Sequence, residues 1–404
     1  MKLKNIRNLA LILALLSVVS VVGYSFGLKG KLEKLDASKN QLDLNLMWKV
    51  KDMLSTSFLE KDKMTDDDMK YGAIEGMVAA LGDPYTVFLP PKSNKSANED
   101  LAGEFGGVGI SLGYKDKTLA VMSPVANSPA QKAGIKAGDL ILKITDKSKD
   151  IDRDTTGISL NEAVELIRGK IGTEVTLKMY REGKGDSYDV ILKRDTIVVP
   201  GVELEWKEVG GKKVAWIKLS KFTEKLFTQW PQMVDQINQG KSGSNYGGIV
   251  LDLRNNPGGY LQASVLVASD FIKNGVIVEQ QSANGAKESY QVEKNRGKLL
   301  NDKLVVLVNG GSASAAEILA GALKEYNRGK LVGEKTFGKG TVQQPEEFND
   351  GSGLHITIAK WLLPSGKNIH KEGVEPDVEV KDTTEVGSNA DPQLDKAIEI
   401  LNGK

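Results

Sequence analysis

Residues 304–344 read LVVLVNGGSASAAEILAGALKEYNRGKLVGEKTFGKGTVQQ, and the fold follows from how this stretch divides. Leu304 to Val308 is an unbroken apolar run with the length of a buried strand, closed by the turn Asn309-Gly310-Gly311. Beyond it, Ala315, Ile318, Leu319, Ala322 and Leu323 recur at i, i+3, i+4, i+7 and i+8, which is one face of an amphipathic helix. A second apolar run leads to Lys339, set between Gly338 and Gly340, and Thr341 to Gln344 reads as extended. Strand, tight turn, then helix is the layout that exposes a side chain at a strand's carboxyl end. Ser314 occupies the first such elbow and Lys339 the next.

Each side chain admits two readings from its local sequence. Ser314-x-x-Glu317 is a capping box, and Ser312 is a second candidate cap. The same helix N-terminus also favours developing negative charge, which suits a serine nucleophile whose carbonyl target becomes an oxyanion. Lys339 is either a surface turn lysine or a lysine drawn into a dry site. Burial disfavours its charged form, by up to ~3–5 pKa units in extreme cases, and a neutral amine acts as a general base. Gly333-x-x-x-x-Gly338-Lys339 imitates a phosphate-binding loop but fails its requirements. Gly340 stands where Ser or Thr should reach Mg²⁺, no helix follows, and the candidate Walker-B run at 248–252 comes before it. Residues 247–259, GGIVLDLRNNPGG, are a buried strand entering a rigid turn, either an anion nest of backbone N–H groups or a plain strand end.

The totals narrow the chemistry. A chain of 404 residues is long enough for about two or three domains with real cores. With 54 basic and 53 acidic side chains, net +1, no global field favours nucleic acid or acidic substrates. The absence of cysteine excludes disulfides, zinc–thiolate sites and a thiol nucleophile. His355 and His370 are the only histidines, so neither a histidine triad nor a multi-histidine metal site is expected. They read as structural or surface residues, and no cofactor is expected.

Lys2, Lys4 and Arg7 precede an uncharged, mostly apolar run over residues 9–28. About twenty such residues span a bilayer, and the leading positive charges keep the N-terminus in the cytoplasm. A secretory signal has a shorter apolar core and a small-residue cleavage site, which Gly23 and Ser25 match poorly. Residues 1–30 are thus read as an uncleaved anchor or a cleaved signal. Both place the body of the chain outside the cytoplasm.

Residues 31–95 are read as a helical region packing on the core. Leu46, Met47, Val50, Met53 and Leu54, then Ile74, Met77, Val78 and Leu81, predict two helices split by the charged residues 61–70. Asp66-Asp67-Asp68 is a solvated helix start, and Gly82-Asp83-Pro84 ends the second helix. Residues 93–100 are polar and read as a loop. Residues 96–196 are rich in glycine and short strands, with helices opening at Ser128-Pro129-Ala130 and over 159–167. In 197–380 strands alternate with helices, which argues for an α/β layer around a mixed sheet. Residues 381–404 form a helical tail.

Several ordered motifs resemble those of the carboxyl-terminal processing peptidases, membrane-associated serine proteases with a Ser–Lys dyad and an inserted PDZ domain. They are GAIEGMVAALGDPYT (72–86), GGVGISL and SPAQKAGIKAGDLILKI with a helix ending LIRGKIGTEV (the PDZ block), DLRNNPGG (252–259), GGSASAAE (310–317) and GEKTFGKGTVQ (333–343). The resemblance runs from Gly72 to the C-terminus. It implies an α/β protease core with a mixed sheet of the ClpP/crotonase-like kind, an inserted mostly-β PDZ domain and an N-terminal membrane-spanning helix. It makes Ser314 the nucleophile, Lys339 the general base and Gln343 the residue that orients the lysine. It draws the oxyanion hole from the N–H of Ala315 and one from Gly258 or Gly259. A departure stands at Glu325, where some members carry Asp, and no role is carried over to it. The N–H groups of Val108, Gly109 and Ile110 would hold a substrate C-terminus added as a β-strand. Arg168, ending the PDZ helix, is the candidate gating contact to the core, or else a solvated helix-end arginine. The implied partners are unfolded or tagged polypeptides with apolar C-termini, a second copy of the chain, and a bacterial membrane. A catalytically inactive PDZ scaffold on a membrane is the alternative.

Overall fold

The computed structural model describes residues 43–404 apart from 62–63, 116–117, 126, 137, 159, 199, 242–244, 383–389 and 404. The expected anchor or signal at the N-terminus lies outside the described residues, and no helix among them is long and apolar enough to cross a membrane. The described chain divides into two units between Gly72 and Ala73. In the first, α1 (Asn45–Ser57) is followed by the start of α2 (Asp66–Ala79), as the apolar spacing predicts. Asp66, Asp67 and Asp68 fill the first turn of α2 and are exposed, where the helix dipole favours carboxylates.

The second unit continues with β1 (Val87–Leu89) and α3 (Pro91–Ala102). Residues 93–100 were expected as a loop, and their helical state is a correction. Pro91 starts the helix, and Gly103 closes it in the left-handed conformation at φ 78°. The helix lacks an apolar stripe because its buried partner is polar: Asn94 Nδ2 donates to the Gly351 carbonyl at 3.1 Å.

Next come β2 (Glu104–Gly107), β3 (Ile110–Lys115), β4 (Thr118–Pro124), α4 (Pro129–Lys132), β5 (Leu140–Asp146), β6 (Ile151–Asp154), α5 (Leu160–Ile167), β7 (Glu174–Tyr180), β8 (Tyr188–Lys193) and β9 (Asp195–Val198). Strands β2 and β9 pair antiparallel where the chain enters and leaves this block. Between them a sheet ordered β3-β4-β5-β7-β8 closes over its own core, which includes Leu119, Ile141, Ile144, Leu177 and Met179. Strand β3 is an edge of that sheet.

The rest is built from β10 (Val202–Val209), β11 (Lys212–Leu219), α6 (Leu226–Gly240), β12 (Tyr246–Asp252), α7 (Leu261–Phe271), β13 (Val276–Ser282), β14 (Lys287–Gln291), β15 (Leu304–Val308), α8 (Ala315–Glu325), β16 (Lys330–Gly333), β17 (Thr341–Glu347), β18 (Gly353–Leu362), β19 (Val378–Glu379) and α9 (Pro392–Leu401). The central sheet runs β10-β11-β12-β15-β16-β19, with β10 antiparallel to β11 and the remaining pairs parallel. The inner strands β12 and β15 are buried on both faces, which is why they read as continuous apolar runs. Ala215, Ile217, Ile249, Leu251, Val306 and Val308 face the core under α6, α7 and α8, whereas Val214, Trp216, Val250, Val305 and Leu307 pack on α9. Fully buried Phe222 and Phe271 each contribute on the order of 2–3 kcal/mol through apolar burial. A second sheet, β1-β18-β13-β14 with β17 on β18, is antiparallel.

This topology positions a site. Strands β12, β15 and β16 are adjacent and parallel, with Asp252 opposite Leu307 and Val308 opposite Gly333. Their carboxyl ends therefore release three loops side by side, the place where open α/β sheets bind ligands.

Candidate active site

The loop after β15 carries Ser314. Its backbone lies at φ 53° and ψ −116°, outside the regions open to ordinary side chains. Such a conformation costs about 1–3 kcal/mol and persists only where its surroundings hold it. Here the Glu317 carboxylate accepts the Ser314 N–H at 2.9 Å, and Ala313 N–H donates to the Asn256 carbonyl at 2.9 Å. Ser312, two residues earlier, is engaged differently. Its Oγ is buried, donates to the Leu253 carbonyl at 2.8 Å and accepts the Asn309 N–H at 3.0 Å. That hydroxyl latches two loops together, while Ser314 faces a cleft of about 610 Å³.

Lys339 lines the same cleft from the loop after β16. Gly338 and Gly340 let that loop lie flat on residues 370–373, since a Cβ at Gly340 would lie 2.7 Å from the His370 backbone nitrogen. Burial drives the Lys339 ammonium below the usual lysine range, opposed by the negative charges of Asp83 and Glu317. It has no ion pair among the described residues. The ring of Tyr85 sits 5.1 Å from its Nζ.

Sequence reading assigned Glu317 only a capping role. In the fold its buried carboxylate also accepts the Thr336 hydroxyl, the Gly338 N–H at 2.7 Å and the Lys339 N–H at 2.9 Å. One side chain thus ties the serine's helix to the lysine's loop. No local signal shows this, because the pairing needs β15 and β16 to be neighbours. Glu325, further along α8, accepts the N–H and hydroxyl of Ser365, both at 2.7 Å, on the surface.

The loop after β12 brings Gly258 and Gly259 beside the serine. A Cβ at Gly258 would lie 2.8 Å from Ser314 Cβ, so only glycine allows this approach. The Gly258 N–H donates to Asn256 Oδ1 at 2.9 Å. Gly259 is at φ 136° and its N–H meets no acceptor among the described residues. The Ala315 N–H, first in α8, has no intrahelical acceptor. Gln343, in β17, lines the cleft but donates through Nε2 to the hydroxyls of Thr341 at 3.0 Å and Thr357 at 3.1 Å. His355 also lines the cleft, where burial and the Lys339 charge lower its pKa, so it is a cleft residue rather than a structural or surface one.

In the β3–β8 block, Val108 and Gly109 precede the edge strand β3, and Ile110 begins it. The Val108 carbonyl accepts from Ala130 N–H, and the Gly109 carbonyl from Val125 N–H, both at 2.9 Å. Gly109 is at φ 74°, and a Cβ there would fall 2.2 Å from Ser128 Cβ. Arg168 pairs with Asp100 of α3 at 3.1 Å and lies 3.9 Å over the Phe105 ring. Asp100 itself lines the cleft. The end of α5 is held by the fully buried Arg194, whose Nε donates to the Ile167 carbonyl at 2.8 Å.

Comparison with known proteins meets this geometry. The peptidase family S41 matches residues 213–380 and the PDZ domain family matches residues 106–192. The carboxy-terminal processing protease CtpA of Bacillus subtilis is 39% identical over 352 residues, covering 87% of this chain and 72% of that protein. A probable CtpA-like serine protease of Staphylococcus aureus is 39% identical over 365 residues, covering 90% and 70%. Among solved structures, a photosystem II D1 C-terminal processing protease aligns at a TM-score of 0.52 with 30% identity, covering 88% of this chain and 90% of that one. The chain is therefore a member of peptidase family S41, a serine peptidase of the carboxy-terminal processing protease kind with a PDZ domain.

Proposed function

We propose that the protein is a serine endopeptidase that uses Ser314 and Lys339 as a catalytic dyad on unfolded or C-terminally tagged polypeptides outside the cytoplasm. The observation that carries this reading is the convergence of three strand-end loops on one cleft, bringing together Ser314, Lys339 and the Gly259 turn. Neutral Lys339 takes the proton of Ser314 Oγ as that oxygen attacks a peptide carbonyl. The N–H groups of Ala315 and Gly259 hold the oxyanion. The lysine ammonium then protonates the leaving amine, and water, deprotonated by Lys339, resolves the acyl-enzyme. Gln343, its Nε2 held by the hydroxyls of Thr341 and Thr357, orients the lysine through its amide oxygen.

The PDZ domain captures an apolar C-terminus along β3, with the carboxylate on the N–H groups of Val108, Gly109 and Ile110. Arg168 reports that event to the cleft through Asp100. The apolar run at residues 9–28 supplies the membrane anchor or export signal. A second copy of the chain packs on α1, whose Leu46 and Met53 are 72% and 68% exposed.

The test uses the full chain in mild detergent with a fluorescein-labelled unfolded polypeptide ending in three alanines or three aspartates. Cleavage of the first, lost by at least about 10³-fold in Ser314→Ala and in Lys339→Ala, is expected. Cleavage that survives either substitution sinks the dyad. A wild-type protein that binds but never cleaves is a scaffold.

A further inference from the structure

The stretch Gly82-Asp83-Pro84-Tyr85-Thr86 ends a helix in the sequence and has no part in the chemistry described so far. In the fold it reaches the cleft. Gly82, at φ 70°, and Pro84 set a tight turn that Asp83 closes on itself. Asp83 Oδ1 accepts the Tyr85 N–H at 3.1 Å, and its Oδ2 accepts the Thr86 hydroxyl at 2.7 Å. The Thr86 oxygen in turn accepts the backbone N–H of Thr357 in β18 at 3.0 Å. Thr357 is the residue whose hydroxyl accepts from Gln343 Nε2 at 3.1 Å, and it stands opposite Gln343 in the β17–β18 ladder. A continuous chain of polar contacts therefore runs from Asp83 to Gln343.

The other side of the same turn faces the lysine. The Tyr85 ring lies 5.1 Å from Lys339 Nζ and packs edge-on against His370 at 6.0 Å. That ring takes the place of water on one side of the amine, and Asp83 is the carboxylate of the same turn whose charge reaches it.

We propose that the turn at residues 83–86 is a positioning element of the active site, in which Tyr85 shields the Lys339 amine from water while Asp83, through Thr86 and Thr357, holds Gln343 beside it. The proposal rests on the reading of Lys339 as general base. Its two halves act on the lysine with opposite sign. Shielding disfavours the ammonium and outweighs the weak attraction of the ring's face for it, since burial is the largest influence on this lysine and lowers its pKa, whereas the Asp83 charge favours the ammonium and raises the pKa. The remaining charged or titratable groups that Lys339 faces are Glu317 from α8 and His355 from β18. Neither is altered by changing the turn.

The rate depends on the neutral lysine, so kcat/KM falls as pH drops through its pKa. In Tyr85→Ala the amine regains water and the acid limb of the kcat/KM profile moves up by about 0.5–1 pH unit. In Asp83→Asn the favourable charge is lost and the limb moves down by about 0.5 pH unit, with kcat reduced roughly tenfold as Gln343 loosens. Tyr85→Phe keeps the ring and leaves the limb where it is. Profiles are recorded on the full chain in detergent with the tri-alanine polypeptide, beside thermal melts of each variant. Limbs that move in the same direction, or an unmoved limb in Tyr85→Ala, overturn the proposal. Should Asp83→Asn fail to fold, the Tyr85 pair alone decides it. Lys339→Ala is measured in the same series: retained activity there breaks the dyad reading itself, whereas its loss with unmoved limbs breaks only this proposal.

Discussion

Two turns in this molecule are proposed to aim backbone N–H groups at a carbonyl or carboxylate, and they are held by different forces. At the Ser314 turn a buried carboxylate, Glu317, accepts hydrogen bonds from both sides of the cleft and fixes a serine in a strained backbone conformation. At the turn of Val108 and Gly109 the anchors are neutral backbone carbonyls and the fit of Gly109 against Ser128. Capture of a peptide end tolerates a little give, because the ligand adds as a strand and adjusts along the edge. Stabilising an oxyanion does not, because donors misplaced by about 1 Å lose on the order of 10² in rate. The charge-rich turn is the one proposed to do chemistry.

That contrast can be broken in a graded series. Glu317→Gln keeps the shape but turns two acceptor sites toward N–H donors. It should lower kcat by about 10²-fold with little change in KM, a split read from steady-state kinetics. Gly109→Ala should strain the PDZ turn and weaken binding of a tri-alanine peptide by roughly tenfold by calorimetry, while cleavage of a short untagged peptide is unchanged. Equal loss in both assays would mean that the two turns are not separable. Arg168→Ala should remove the response of cleavage rate to added PDZ ligand, with basal cleavage within about threefold of wild type, since a part-exposed pair is worth about 1 kcal/mol or less.

The smallest effect concerns pH and stability. Burial raises the Asp391 carboxyl, but its pairing with Arg254, which extends the β12 loop, wins and holds it below the usual range. A depressed folded-state pKa gives stability that is present above the unfolded value of about 3.9 and is lost as pH falls through the depressed value. Asp391→Asn should therefore lower the melting temperature at pH 7 by a few degrees, about 1 kcal/mol, with the gap from wild type closing in acid. A gap that widens in acid would show that Asp391 is not what Arg254 holds.

Much of the site was legible without coordinates, and the illegible part has a common cause. The run from Leu304 to Val308 and the helix from Ala315 needed only apolar periodicity, and both are found where that spacing puts them. Ser312 and Ser314 were locally equivalent as caps. The structure separates them, because the Ser312 hydroxyl is engaged by Asn309 of its own loop and by Leu253 of the neighbouring one. Residues 93–100 were missed as a helix because their buried contact, Asn94 to Gly351, is polar and distant in sequence. His355 gave no sign of lying in the cleft, since β18 reaches it only through pairing with β17 and β1.

The amino-acid order by itself determined the local elements, the glycine turns and the absence of thiol or multi-histidine chemistry. These depend on periodicity, backbone freedom and composition, all of which act over a few residues. Only the tertiary structure decided that Glu317 joins the serine's helix to the lysine's loop, that Gly259 rather than Gly258 keeps its N–H unengaged, and that the turn at Asp83 reaches the lysine. Each of those depends on parallel strands lying side by side and on which donors and acceptors burial leaves to find one another.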